Sequence, residues 1–242
     1  MSVLSSPNEL KRIAHLVSRF SSLPFAAPDS VPGSVLEAIL AEVRGATRLE
    51  TYDFVDVVRP AEHIGWQVKS TKAKTPVTWK RAKIPNALAL IDASKSPKGA
   101  QVLGDAIINF CNEHARQSMR DYGLTEIGYA RLVIRANLTA VYFEKIIATS
   151  KSPNLFDPRE FTWRWSSPKQ TRKKEQLSAL HGHHVPSGNK WWAWHGLGEN
   201  QLHFSGEGAW WPRDTNNAIE FSLPSLVDRM SMQDLVDLIA AE

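Results

Sequence analysis

The sequence predicts an α/β protein, with α+β as the alternative: a mixed central β-sheet flanked by helices, then a Trp/His-rich irregular β lobe toward the C-terminus. Three observations predict it. Apolar residues at helical spacing alternate along the chain with β-branched and aromatic runs, the order expected of a sheet covered by helices. The 242 residues are 43% hydrophobic and 22% charged, and the single Cys111 excludes a disulfide framework or a Cys-based structural zinc site. Seven of the nine Trp fall after residue 160, where helical periodicity stops and Gly, His, Lys and Asn become abundant. The expected division is a core over residues 1–160 and a basic, aromatic lobe with a C-terminal helix over 161–242, packed as one compact unit.

Residues 8–22 place Leu10, Ile13, Leu16, Val17 and Phe20 on one helical face. Pro24, Pro28 and Pro32 make a linker. Ser34 and Glu37 form a capping box for a helix whose stripe is Val35, Ile39, Leu40 and Val43, and Gly45 ends it. Residues 50–58 (ETYDFVDVV) and 64–71 (IGWQVKST) read as a β-hairpin around a turn at 59–63. Ala87–Asp92 reads as a short buried strand, 99–121 as a long amphipathic helix, 129–135 and 138–146 as two strands, and 160–166 as another. Beyond that, short strands are expected near 190–195, 201–205 and 208–211. Residues 224–241 read as a helix, recapped by Ser231 and Asp234. No apolar run reaches the roughly 18 residues that span a bilayer. The N-terminus also lacks the apolar segment of a signal peptide. The expectation is a cytoplasmic protein without a membrane partner.

The chemistry-bearing segment is TYDFVDVVRPAEHIGWQVKST. Asp53 and Asp56 lie on its first strand, Gln67 and Lys69 on its second. Residues two apart on a strand share a face, so Gln67 and Lys69 emerge together while Trp66 and Val68 face the other way. An Asp carboxylate can hold a divalent cation, with Gln67 as a weaker ligand, and Lys69 can orient water or neutralise charge building on a phosphate. Either Asp fits, and Asp56, set among Val55, Val57 and Val58, is placed slightly ahead. Glu50 is a third acid, read as surface.

This arrangement resembles the catalytic core of the PD-(D/E)xK nuclease superfamily in its Gln-containing QxK form, over residues 34–72 as motif and to 146 as a restriction-endonuclease-like fold. The resemblance implies a type II restriction endonuclease: a sequence-specific, Mg2+-dependent endodeoxyribonuclease acting on double-stranded DNA as a homodimer. By it, Asp53, Asp56, Gln67 and Lys69 are catalytic, with Asp53, Asp56 and Gln67 the metal ligands. Glu37 or Glu42 of the preceding helix supplies a further acid. No Pro precedes either Asp, and the neutral Gln67 leaves metal binding leaning on the Asp.

Charge placement points the same way. The formal net charge is only +4, yet residues 67–98 hold eight Lys or Arg against one acid, Asp92. Lys72, Lys74, Lys80, Arg81 and Lys83, with Trp79 among them, read as a phosphate track. Lys169, Arg172, Lys173 and Lys174 form a second DNA-binding stretch, with phosphate contacts favoured over base contacts. The alternative is a non-catalytic DNA- or RNA-binding module. The histidines at 181, 183, 184, 195 and 203 lack zincin spacing. A zinc site built from His, Asp or Glu and an HNH-like nuclease centred on His184, with Asn200 and His203, are the rival readings. Trp191, Trp192, Trp194, Trp210 and Trp211 read first as core of a β lobe, then as a base-stacking surface or a dimer interface. Adjacent Trp on one strand point to opposite faces, so no more than one of each pair is expected in a common core.

Overall fold

A computed structural model describes residues 2–50, 53–170, 175–197, 200–206 and 217–240. The helices are α1 (Pro7–Ser21), α2 (Gly33–Arg44), α3 (Ala87–Ala93), α4 (Pro97–Asp121) and α5 (Met232–Ala240). The strands are β1 (Thr47–Arg48), β2 (Val57–Arg59), β3 (Ile64–Lys72), β4 (Val77–Arg81), β5 (Glu126–Ile134), β6 (Thr139–Thr149) and β7 (Phe161–Trp165), then β8 (Lys169–Gln170), β9 (Glu175–Gln176), β10 (Leu180–His184), β11 (Lys190–His195), β12 (Gln201–Phe204) and β13 (Ala218–Ser222). The fold is a mixed α/β one with two main sheets. A six-stranded sheet runs β1-β2-β3-β5-β6-β13, antiparallel except for the parallel pair β3/β5. A five-stranded antiparallel sheet runs β4-β12-β11-β10-β7, and β8 and β9 form a separate ribbon.

Two compact units result: Met1–Thr75 with Ser118–Ser150 and Pro212–Glu242, and Pro76–Gln117 with Lys151–Trp211. The chain passes between them after Thr75, Gln117, Ser150 and Trp211, so neither unit is a continuous stretch such as 1–160 or 161–242.

In the first unit, Ile13 and Val17 of α1 and Leu36 and Leu40 of α2 pack on Trp66, Val68, Leu132 and Tyr142. Alternation then turns Gln67 and Lys69 to the opposite side of β3, as the sequence predicts. Arg44 locks the N-terminal segment to this core. Its guanidinium donates to Ser5 Oγ (2.9 Å) and Ser2 O (2.6 Å) and lies over the Trp66 ring, 5.0 Å from the centroid. Ser5 in turn donates through its backbone N–H and hydroxyl to the buried Glu144 carboxylate.

Several expectations change. The helix at 34 starts one residue earlier, with Pro32 as N-cap and no side-chain cap, so Ser34 lies inside the first turn and the Ser34–Glu37 capping box does not form. Gly45 does end that helix, in the left-handed conformation at φ 56°. The strand expected at 50–58 shrinks to Val57–Arg59, with residues 51 and 52 outside the described residues. Ala87–Asp92 is not a buried strand. It is α3, whose Ala and Leu are strong helix formers without β-branching, and Leu88 is exposed. The C-terminal helix is confined to Met232–Ala240 because Pro224 and a 3-10 turn at Leu226–Asp228 interrupt it. Ser231 and Asp234 cap it reciprocally, as expected. The strand expected at 208–211 lies outside the described residues, as do Trp210 and Trp211.

The second unit is built on aromatics. Trp79, Phe156, Phe161, Trp192 and Phe204 meet edge-on or tilted, with Trp192 and Phe204 centroids 4.6 Å apart and Phe156 and Trp192 5.0 Å apart. Trp163 lies close over both Gly104 of α4 and Gly182 of β10; a Cβ at Gly104 would sit 2.1 Å from the indole. Trp191 is 6% exposed and Trp192 0%, so both are core, against the expectation that adjacent Trp part company. The cause is a β-bulge. Trp192 pairs with Gly182 and Lys190 with His183, which leaves Trp191 as the extra residue, free to turn inward. Trp194 is also fully buried. The core reading therefore holds for these three, and the stacking and interface readings do not.

Candidate active site

The site forms where β2 separates from β3. Asp56 sits one residue before β2. Its backbone N–H still donates to Trp66 O (2.7 Å) and its backbone carbonyl accepts from Leu49 N (2.9 Å). Its side chain then substitutes for the ladder: Oδ2 accepts the Val68 N–H at 2.7 Å. That bond fixes the carboxylate against β3, where Lys69 Nζ approaches the same oxygen at 3.5 Å. Both side chains keep about a fifth of their surface exposed (20% for Lys69, 23% for Asp56), so the pair is ordered yet reachable from solvent.

Glu37 joins the pair from α2. Burial, and after it the negative charge of Asp56, push its carboxyl above the ordinary range, while Lys69 and Arg48 pull the other way. Arg48 Nε stands 4.0 Å from Glu37 Oε2. The unfolded chain therefore loses this proton before the folded one does. Ionised Glu37 lowers stability as the pH rises from the usual carboxylate value through its raised one. Glu37→Gln is expected to melt at or above the wild-type temperature near neutral pH, with the advantage vanishing below the usual carboxylate range. A differential scanning experiment across pH reads this, and a variant that melts lower at neutral pH contradicts it.

Asp56 and Lys69 are thus brought together, with Glu37 of α2 close enough to feel both charges. Gln67 is buried on the Lys69 side of β3. Asp53 makes a different contact: its carboxylate accepts the Tyr122 hydroxyl, and the neighbouring Phe54 N–H donates to Ser118 Oγ, which anchors the loop before β2. Glu42 points elsewhere and pairs with Arg12 at 3.1 Å, and Glu50 is exposed. The sequence reading passed over Arg131, fully buried on β5 in register with Lys69; its guanidinium donates to Thr71 Oγ1 and Leu132 O, both at 2.8 Å. An Arg flanked by Ala, Leu and Val in a strand was the available signal, because a buried guanidinium stays charged and must be held by acceptors.

No three of His, Cys, Asp and Glu form a metal-holding group among the described residues. Mg2+ does not need one: it keeps several waters and binds through one or two carboxylates plus substrate phosphate. Asp56 and Glu37 supply two hard oxygen donors whose mutual repulsion a dication would relieve. Gln67 offers a neutral oxygen, so the donors present are of the kind Mg2+ takes.

The residues expected to hold DNA divide by unit. In the first, Lys72 is half-exposed and paired with Asp29, and Lys74 is exposed. In the second, Arg81 and Lys83 are exposed at and beyond the end of β4. Lys80 is half-buried and pairs with the buried Leu202, on the aromatic side of the sheet. Trp79 is a core residue, 1% exposed, rather than part of a phosphate track. Lys169 lies on β8, while Arg172, Lys173 and Lys174 lie outside the described residues. His184 accepts or donates at Nδ1 with Ser187 Oγ and stacks on Trp191 at 3.9 Å, and His203 is on strand β12 rather than on a helix. That arrangement gives the HNH-like reading no support.

No protein-family model matches the chain, and neither a curated protein nor a solved structure matches it. No helix among the described residues is long and apolar enough to cross a membrane.

Proposed function

We propose that the chain is a Mg2+-dependent endodeoxyribonuclease of the PD-(D/E)xK type, cutting double-stranded DNA at specific sequences as a homodimer in the manner of a type II restriction enzyme. The observation that carries the reading is the meeting of Asp56 Oδ2 with Lys69 Nζ at 3.5 Å, beside Glu37. The order of elements supports it: helix α2, the antiparallel pair β2/β3 bearing Asp56 and then Gln67-Val68-Lys69, and a parallel neighbour β5.

Asp56 and Glu37 are the residues that would hold the cation, with Gln67 adding its amide oxygen. The chemistry that Mg2+ supplies at such a site is polarisation of the phosphate and activation of water. The chain's own groups do the rest. The Asp56 carboxylate, itself fixed by the Val68 N–H, holds the Lys69 ammonium in one place. Lys69 Nζ then hydrogen-bonds the attacking water or the phosphate oxygen on which charge accumulates. Exposed Lys74, Arg81 and Lys83 contact the DNA backbone, which carries most of the affinity.

The test is incubation of the purified protein with sequence-diverse duplex DNA in Mg2+ and in EDTA. Discrete fragments that require Mg2+ are expected. Binding without cleavage, on both modified and unmodified DNA, leaves the non-catalytic binding module as the better reading.

A further inference from the structure

The five-stranded sheet has an aromatic inner face and an outer face of a different kind. Register places Arg164 of β7 opposite His181 of β10, and His183 opposite both Thr162 and Lys190. On β11 and β12, Ala193 pairs with His203 and His195 with Gln201; on β4, Gln201 meets Arg81 and His203 meets Thr78. Ala193 lies between His181 and His203, so a small residue floors the middle of the face. The imidazoles are close: His195 and His203 centroids are 4.8 Å apart, and those of His181 and His183 6.4 Å. Side-chain bonds fix the rings, with Arg164 Nε donating to His183 Nε2 at 3.3 Å and His203 Nε2 meeting Gln201 Oε1 at 3.0 Å. None of the five strands carries an Asp or Glu.

We infer that this outer face is a docking surface for the phosphate backbone of duplex DNA, and that protonation of its histidines makes the docking tighten as pH falls. For the identity of the ligand it rests on the proposed DNA-directed function; the surface itself does not. Charge complementarity selects the occupant. Arg81, Arg164 and Lys190 are permanent cations at different edges of the face, and four histidines lie between them on strands whose own sequences carry no Asp or Glu. Nearby Arg164 and Lys190, after burial, hold the His183 imidazole below its usual value. Phosphates laid along the face remove that repulsion and raise the imidazole affinities for protons, so DNA and protons bind cooperatively. Neutral imidazoles, the Thr hydroxyls and Gln201 supply hydrogen bonds at higher pH, which leaves a weaker, less salt-sensitive surface.

Fluorescence anisotropy of a labelled duplex with the full chain in EDTA tests this. Between pH 8 and pH 6, spanning the ordinary imidazole range, affinity is expected to rise at least about tenfold. The log–log salt slope should steepen by about one to two over the same interval, one unit per added phosphate pairing. Replacing all four histidines (His181→Gln, His183→Gln, His195→Gln, His203→Gln) should flatten the pH dependence with the circular dichroism spectrum unchanged. Should that variant not fold, the single charge reversal Arg164→Glu should weaken binding at least about tenfold at both pH values. Wild-type affinity and slope unchanged with pH, absence of binding at pH 6, a folded histidine variant that keeps the pH response, or a folded Arg164→Glu protein that binds normally each overturns the inference. Lys69→Ala separates the two proposals, because it should lose cleavage and keep the whole pH response. Cleavage that survives in Lys69→Ala alongside pH-dependent binding removes the nuclease site and leaves the docking face standing.

Discussion

Lys69→Ala is expected to reduce Mg2+-dependent DNA cleavage by about a hundredfold to a thousandfold, the range seen when one preorganised donor to a developing oxyanion is removed. DNA affinity should stay within about tenfold, since one cation among many contributes little to backbone binding. The fold should survive. Lys69 keeps a fifth of its side chain in solvent, and its partner Asp56 retains the Val68 N–H after the change. A partly exposed ion pair of this kind is worth about 1 kcal/mol or less. Single-turnover cleavage and anisotropy on the same preparation read the two effects separately. Cleavage at the wild-type rate excludes Lys69 from the chemistry and directs attention away from the β2/β3 junction.

Asp56→Asn and Asp53→Asn should differ sharply. Asn at 56 still accepts the Val68 N–H, so the backbone geometry at the start of β2 is kept while the charge is lost. Cleavage should then fall at least about a thousandfold, because both the cation site and the anchor of Lys69 depend on that charge. Mg2+ should also cease to raise the melting temperature, a linkage effect that needs no substrate. Asp53→Asn keeps an acceptor for the Tyr122 hydroxyl, the contact that engages this side chain, so cleavage should remain within about tenfold of wild type. The reverse ranking, with Asp53→Asn inactive and Asp56→Asn active, contradicts the site.

The difference between these two acids shows what the sequence could and could not convey. Strand alternation alone put Gln67 and Lys69 on one face and Trp66 and Val68 on the other, because period-two geometry is local. Choosing between Asp53 and Asp56 needed the point at which β2 leaves β3. A hydrogen bond from the Val68 N–H sets that point, not any pattern in ETYDFVDVV. Glu37 was legible as an acid on the preceding helix, but its reading as a capping residue failed because Pro32 starts that helix. β4 was hidden by the basic residues in and around it. The alternation of Val77 and Trp79 with Thr78 was the strand signal, and Lys72, Lys74, Lys80, Arg81 and Lys83 made the segment read as a phosphate track instead. The histidines were visible as a cluster, yet their common face required the strand register, which pairs both His181 and His203 with Ala193 and leaves His183 and His195 two residues along on the same side.

The β2/β3 junction is the proposed phosphodiesterase site. The most direct measurement compares wild type, Lys69→Ala and Asp53→Asn on one pool of genomic duplex DNA with Mg2+, with the new ends mapped by sequencing. The predicted result is ends that share a sequence, appear with wild type and Asp53→Asn, and disappear with Lys69→Ala and with EDTA. New ends that persist in Lys69→Ala, or none from any protein on either modified or unmodified DNA, would contradict it.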